Sequence, residues 1–349
     1  MSRVQTLTVE EADTDQRLDR WFKRLFPQIS QGRIEKMCRK GDIRVDGGRV
    51  KASTRVLAGQ QVRIPPLPDG EAPPPPKRTR VTDADAKFIR SCVIYRDDHV
   101  IALNKPPGLP VQGGSGQSER HVDALAEALM FELDEKPRLV HRLDKDTSGV
   151  LIMARTRAVA AALTASFRHR ETRKIYWAAV AGVPHPKNGT IKYGVMKQGG
   201  HGARGEGEKM VPVDPNDVDS TEGAKRATTD YAVLSQAGGR TCWMALIPVT
   251  GRTHQLRVHM AAIGHPIVGD GKYGGSGQDN PGDGWGAQLG GDLSKKLHLH
   301  ARSLTIEHPV TKATLNLIAP IPAHMQRTWD TFQWQASDVP ADPFEEEWG

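Results

Sequence analysis

Apolar residues recur along this chain with two different periods, and the changes of period outline its elements. From Arg17 the period is helical. Leu18, Trp21, Phe22, Leu25 and Phe26 fall at i, i+3, i+4, i+7 and i+8, one apolar face. Pro27 stops that helix. Ser30 fits the N-cap of a second helix that turns Ile34, Met37 and Cys38 inward, and Gly41 ends it. The period then becomes two. Ile43 to Val50 alternates around Asp46-Gly47, a strong hairpin signal, and Gln61 to Ile64 adds a strand.

Residues 65 to 87 break the pattern. Seven prolines lie between Pro65 and Pro76, so a semi-rigid linker is expected over 67–87. Beyond it, strands predominate. Cys92–Tyr95 and Val100–Lys105 form a hairpin ahead of Pro106-Pro107-Gly108. A helix is expected over 121–133 and another over 156–170. Strands are expected at 174–182, 227–234, 242–249, 297–301, 304–306 and 314–320, and a helix at 322–334. Residues 194–226 and 271–292 are polar and glycine-rich, the first read as an irregular hairpin or loop over a cleft. From Gln335 on there are five acids and no base, which predicts a solvated, mobile tail over 335–349. Many strands with few helices give an α+β fold with a mixed, mostly antiparallel sheet.

Charge sharpens this division. The chain carries 48 Lys and Arg against 41 Asp and Glu, a net of +7. Residues 15–66 hold 13 bases and 5 acids, a net of +8, so the rest sums to −1. The basic excess belongs to the N-terminal segment, where Arg33, Lys36, Arg39, Lys40 and Arg44 are expected to face solvent. Three scattered cysteines suggest neither a disulfide framework nor a zinc site. No apolar run reaches 18 residues and no signal-peptide region opens the chain, so a soluble cytoplasmic protein is expected, with no membrane partner. His254, His259 and His265 lack the i,i+4 spacing of a helical metal pair, so no metal is expected. Gly113 to Gly116 is glycine-rich but lacks the Lys-Ser/Thr of a P-loop.

One stretch organises the rest. His141-Arg142-Leu143-Asp144-Lys145-Asp146-Thr147-Ser148-Gly149 is polar, and Val150–Ala154 after it reads as a buried strand. Asp144 thus lies on a loop before a rigid strand, a support that enzyme sites use. On composition alone it is a charged turn feeding a strand.

The nine residues resemble the signature loop of the Rlu-type (RluA family) pseudouridine synthases. Three further stretches resemble that family in the same order: Asn104-Lys105-Pro106-Pro107-Gly108, the Lys-x-Tyr-x-Ala-x-Val-x-Gly run from Lys174 to Gly182, and Thr250-Gly251-Arg252-Thr253-His254-Gln255-Leu256-Arg257-Val258-His259-Met260, a short helix with Gly251 allowing a tight entry. The N-terminal segment resembles the RNA-binding module named after ribosomal protein S-four, over about 15–66. The resemblance implies a catalytic domain over 88–334 that isomerises uridine to pseudouridine in RNA, with no cofactor. It implies Asp144 as the catalytic residue, Tyr176 in the active site, and Arg252 against the aspartate. Arg142 then fills the gap left by the flipped base or holds a phosphate, and Arg33, Lys36, Arg39, Lys40 and Arg44 contact phosphates.

The glycine-rich loop and Asp97-Asp98-His99 resemble the RluC-like branch, so large-subunit ribosomal RNA is the expected partner and a monomer the expected state. A transfer-RNA substrate and a non-catalytic ribosome-assembly role are the alternatives. A glycosidic hydrolase would need a second carboxylate, offered by Asp146 or Asp97-Asp98.

Overall fold

The structure is a computed structural model, and it describes residues 4–67, 81–113, 120–167, 172–198, 209–274 and 293–345. The chain forms two compact units, Met1–Arg80 and Val81–Gly349. Most of the proline-rich stretch and the Gly114–Gly116 loop fall outside the described residues.

In the first unit, β1 (Gln5–Thr8), β2 (Gln16–Arg17), α1 (Leu18–Leu25) and α2 (Gln31–Lys40) precede β3 (Arg44–Val45), β4 (Gly48–Arg49), β5 (Arg55–Val56) and β6 (Gln61–Ile64). The helices bury the apolar faces that their periodicity predicts: Leu18, Trp21, Phe22, Ile34, Met37 and Cys38 share one core. Ser30 is the N-cap of α2 by backbone geometry, with no hydrogen bond from its side chain, and Gly41 closes the helix at φ 78°. Asp46 and Gly47 both take positive φ, as a two-residue turn between strands requires. The sheet order is β1-β6-β3-β4.

The second unit opens with α3 (Asp83–Ser91), whose cap Thr82 accepts a hydrogen bond from the Asp85 amide. This helix begins inside the stretch read as linker. There follow β7 (Val93–Arg96), β8 (Val100–Lys105), α4 (Val122–Leu125), β9 (Arg138–Leu139), β10 (Ser148–Ala154), α5 (Arg157–Ser166) and β11 (Arg173–Ala181). Then come β12 (Asn188–Ile191), β13 (Gly194–Gln198), β14 (Lys209–Val213), β15 (Thr229–Ala237), β16 (Thr241–Pro248) and α6 (Gln255–Ala262). The unit ends with β17 (Leu299–Glu307), β18 (Thr314–Ile318) and α7 (Ala323–Thr331). A long sheet runs β12-β15-β16-β11-β17-β10-β8-β7, with β18 beside β17 and β9 beside β10. β10 and β17 run parallel, and the other recorded pairs are antiparallel.

Every residue of β10 is buried. Leu151 and Met153 enter one core while Val150, Ile152 and Ala154 enter another, so the strand is covered on both faces. That explains a continuous apolar run where a half-exposed strand would alternate.

Four expectations change. The helix over 121–133 is one α-turn followed by a 3-10 turn, Ala126–Leu129. The two strands at 297–306 are the single β17, interrupted by a bulge where Tyr176 pairs with Ala301 and Ile175 with Ser303. The 194–226 stretch contains the paired strands β13 and β14, the latter against α6. The acidic tail is anchored over its described part. Asp342 takes the Arg173 guanidinium, and Phe344, 4% exposed, packs into a core with Trp177, Trp243, Trp329 and Trp334. The Phe344 ring and the Asp342 carboxylate together hold this part of the tail to the fold.

Candidate active site

The Asp144 loop is clamped from several sides. Leu143 is buried in a core. The Lys145 carbonyl accepts from the Gly108 amide at 2.9 Å and from Lys105 Nζ at 2.9 Å. Lys105 is fully buried, and its ammonium also donates to the carbonyls of Pro106 (3.0 Å) and Leu109 (2.9 Å). Burial pulls the Lys105 pKa down to about 7, and three carbonyl acceptors for its three donors offset that cost in the charged form. The Asn-Lys-Pro-Pro-Gly turn is therefore a bracket under the Asp144 loop.

At the other end, His141 Nε2 accepts from the Ile152 amide at 3.0 Å, and its ring stacks on Phe167 at 4.6 Å. Burial, with the nearby Lys174 charge, pulls the His141 pKa down to about 3, so the ring is neutral and can accept. Gly149 sits at φ +110°, where an added Cβ would lie 2.2 Å from the Ala301 carbonyl oxygen. Only glycine lets β10 approach β17 this closely directly after the loop.

The Asp144 side chain is 19% exposed and has two basic neighbours. Arg257 Nη1 lies 3.9 Å from its Oδ2, and His254 Nε2 lies 3.9 Å from its Oδ1. Arg257 is itself fixed. Its Nε and Nη2 each donate to the wholly buried Asp270 carboxylate at 2.7 Å. Burial works against the Arg257 charge, but the Asp270 hydrogen bond and charge, with help from Asp144, raise its pKa.

His254 stands at the N-cap of α6 with φ 52°, a left-handed position that histidine tolerates better than most residues. Its Nδ1 lies 2.6 Å from the Tyr273 hydroxyl. That hydroxyl also accepts from the Met210 amide at 3.1 Å, so the ring is held by Tyr273 on one side and turns Nε2 toward Asp144 on the other. Burial lowers the His254 pKa against the opposing charge of Asp144.

Asp144 lines a cavity of about 360 Å³ with Arg142, Lys174, Tyr176, Arg252 and Arg257. Tyr176 comes from β11, half-buried. Burial first, and the Asp144 charge second, push its phenol upward, so the hydroxyl keeps its proton at neutral pH. Burial lowers the Lys174 pKa. Arg142 is exposed.

The cavity thus gathers the expected Asp144, Tyr176, Arg142 and Arg252, but the pairing differs. Arg252 does not meet the aspartate: it is exposed, and its Nε donates to the Arg226 carbonyl at 3.2 Å. Arg257 holds that position. α6 starts only at Gln255, so Arg252 lies on the approach and Arg257 on the first turn, facing inward. The tight turn into the helix is made by His254, not by Gly251, which has no positive φ. Reading the motif missed Arg257, His254, Tyr273 and Lys105. The signal for Arg257 was present, since the same motif holds two arginines five residues apart.

The other two histidines have partners of their own. His259 lies between Thr229 Oγ1 and the Tyr193 carbonyl, and His265 Nδ1 meets the Ala181 carbonyl.

In the first unit, Arg33, Lys36 and Lys40 line one groove with Pro65 and Pro66. Arg39 is exposed on the same helix but does not line that groove. Arg44 is half-buried, and its guanidinium donates to the carbonyls of Gly41 (3.1 Å) and Gly47 (3.4 Å) in its own hairpin.

Known proteins resemble this chain over most of its length. A family model described as RNA pseudouridylate synthase matches residues 99–262, and one described as S4 domain matches 16–62. The ribosomal large subunit pseudouridine synthase C of Vibrio cholerae is 33% identical over 335 residues, covering 93% of this chain and 96% of that protein. The mitochondrial RNA pseudouridine synthase 4 of Arabidopsis thaliana is also 33% identical, over 89% of this chain and 78% of its own. The solved structure of human RNA pseudouridylate synthase domain containing 4 aligns with a TM-score of 0.56 at 31% identity, covering 71% of this chain and 95% of that one.

Proposed function

The chain belongs to the RNA pseudouridylate synthase family and is an RNA pseudouridine synthase, and we propose that it modifies uridines of large-subunit ribosomal RNA with Asp144 as its catalytic residue. The observation that carries the reading is one carboxylate on a clamped loop, in a cavity with Tyr176, with the Arg257 guanidinium and the His254 ring each 3.9 Å away.

The isomerisation breaks the bond from the sugar to N1, turns the base and forms a bond to C5. The C5 proton leaves and N1 gains one, so nothing is oxidised or reduced and no cofactor is needed. Asp144 either attacks the sugar or removes a sugar proton. Both require its oxygens to be aimed, and Arg257 and His254 do the aiming. Tyr176 offers a ring for the uracil and a protonated hydroxyl for the proton steps. The target leaves its stack to reach Asp144, and Arg142 at the exposed rim fills the gap or holds a phosphate. Arg252, also exposed, takes a backbone phosphate rather than the aspartate.

The S4 unit adds affinity through phosphates at Arg33, Lys36, Arg39 and Lys40. Large-subunit RNA is favoured by what the Vibrio cholerae relative is named for. We place the enzyme in the cytoplasm as a monomer; among the described residues no helix is long and apolar enough to cross a membrane.

The test is a pseudouridine map of ribosomal RNA from cells lacking the gene, complemented with wild type or Asp144→Ala. Specific large-subunit sites should vanish and return only with wild type. Unchanged ribosomal RNA overturns the substrate and directs the search to transfer RNA. Rescue by Asp144→Ala overturns the role of Asp144.

A further inference from the structure

Asp144 belongs to two cavities. The second, about 570 Å³, shares Asp144, His254 and Arg257 with the first but not Tyr176. Its other charged residues are four lysines, Lys145, Lys272, Lys295 and Lys296, and one acid, Asp146. Since Asp270 engages Arg257, four ammonium groups face two carboxylates here. Among the described residues, the ammonium groups of Lys145, Lys295 and Lys296 make no ion pair or hydrogen bond.

The backbone that presents them is ordered. Gly269, at φ +75°, lies so close beneath the Lys296 carbonyl that an added Cβ would be 2.1 Å from its oxygen, and His298 Nδ1 meets the same carbonyl at 2.7 Å. The carbonyl of Lys145 is held by Lys105. The backbone from which Lys145 and Lys296 project is therefore held beside the Asp270–Arg257–Asp144 line, while their exposed side chains stay free to reach a ligand.

We propose that this lysine groove binds the backbone phosphates of the RNA strand beside the target uridine, and so fixes the path by which that strand leaves the catalytic cavity. The inference rests on the reading of Asp144 as the residue that meets the target sugar. A nucleotide whose sugar is at Asp144 carries a phosphodiester on each side. With its base in the Tyr176 cavity, the strand continues past Asp144, His254 and Arg257, where the lysines stand. Lysine is a flexible point charge, suited to a phosphate chain read without sequence.

The experiment uses the full chain. Lys295→Gln/Lys296→Gln and Lys295→Arg/Lys296→Arg are compared for binding in the Asp144→Ala background and for turnover in the wild-type background. The probe is an oligoribonucleotide spanning a uridine that the wild type modifies, tested intact and truncated at the target on either flank. The Gln pair should weaken binding by about tenfold and flatten the plot of log Kd against log salt by about 1.4, near 0.7 per single-strand phosphate contact. KM should rise more than kcat falls, the Arg pair should restore both, and one truncation should abolish the difference.

Unchanged Kd and salt slope overturn the groove while leaving the catalytic reading intact. A fall in kcat at unchanged KM overturns it too, because the lysines would then act on Asp144 and not on RNA. Failure of the catalytic reading has a different signature: no pseudouridine from the wild type, whatever the binding slopes.

Discussion

Arg257→Gln will lower stability and turnover by separate routes, and Asp270→Asn separates them. The Asp270 carboxylate is wholly buried and takes two 2.7 Å bonds from Arg257. Removing one partner of a buried pair costs about 3–5 kcal/mol, because the remaining charge stays desolvated. Asp270 keeps the amides of Lys272 (3.0 Å) and Tyr273 (3.1 Å), which puts the loss at the lower end, about 3 kcal/mol. At about 2–4 °C per kcal/mol for a unit of this size, the thermal midpoint falls by about 6–12 °C. The double variant carries no stranded charge and should recover most of that loss.

Turnover should not recover. At 3.9 Å the Arg257–Asp144 attraction is about 1 kcal/mol in water and about 4 kcal/mol at an effective dielectric near 20. Losing it slows turnover by about five- to a thousandfold in both variants. Arg252→Gln, on an exposed side chain, should leave the midpoint within about 0.5 kcal/mol and act on KM. The assays are thermal unfolding and single-turnover pseudouridine formation at saturating RNA. A double variant as unstable as the single, or an Arg252→Gln that slows saturated turnover as much as Arg257→Gln, refutes the reasoning.

Two other outcomes are expected. Gly149→Ala places a methyl 2.2 Å from the Ala301 carbonyl at φ +110° and must part β10 from β17, so it should cost at least about 3 kcal/mol and most of the activity; an unchanged melting curve contradicts the packing at that junction. Burial pulls the pKa of His141 to about 3, and those of His298 and His300 to about 4. From an ordinary value near 6.5, the unfolded chain binds protons that the fold refuses, so their stabilisation is complete above about pH 6.5 and is lost as pH falls toward 4, by up to about 1.4 kcal/mol per pH unit per ring. The urea midpoint should drop between pH 7 and pH 5, and a flat or rising midpoint refutes neutral burial of these rings.

Much of the fold was legible because local physics decides it. The i, i+3, i+4 faces of α1 and α2 and the Asp46-Gly47 turn need no distant partner to be recognised. What failed was settled by distant partners. The β17 alternation is interrupted by a bulge, so one strand reads as two. The 3-10 turn at Ala126–Leu129 buries Ala126, Ala128 and Leu129 and exposes Glu127, a pattern that does not distinguish it from an α-turn. The tail reads as solvated until a tryptophan cluster is there to receive Phe344.

The site divides in the same way. The sequence by itself determined the family and the basic N-terminal segment, because each is written in residue type and short spacing, and the resemblance singled out Asp144. Only the tertiary structure decided which arginine meets Asp144, since that depends on where α6 begins and on Asp270 being buried thirteen residues further on. The same holds for the His254 ring, which is held by Tyr273, and for the Lys105 bracket, which reaches forty residues to the Lys145 carbonyl. A hydrogen bond has the range of one atom contact, so a chain read in order does not reveal its long-range partners until the fold brings them together.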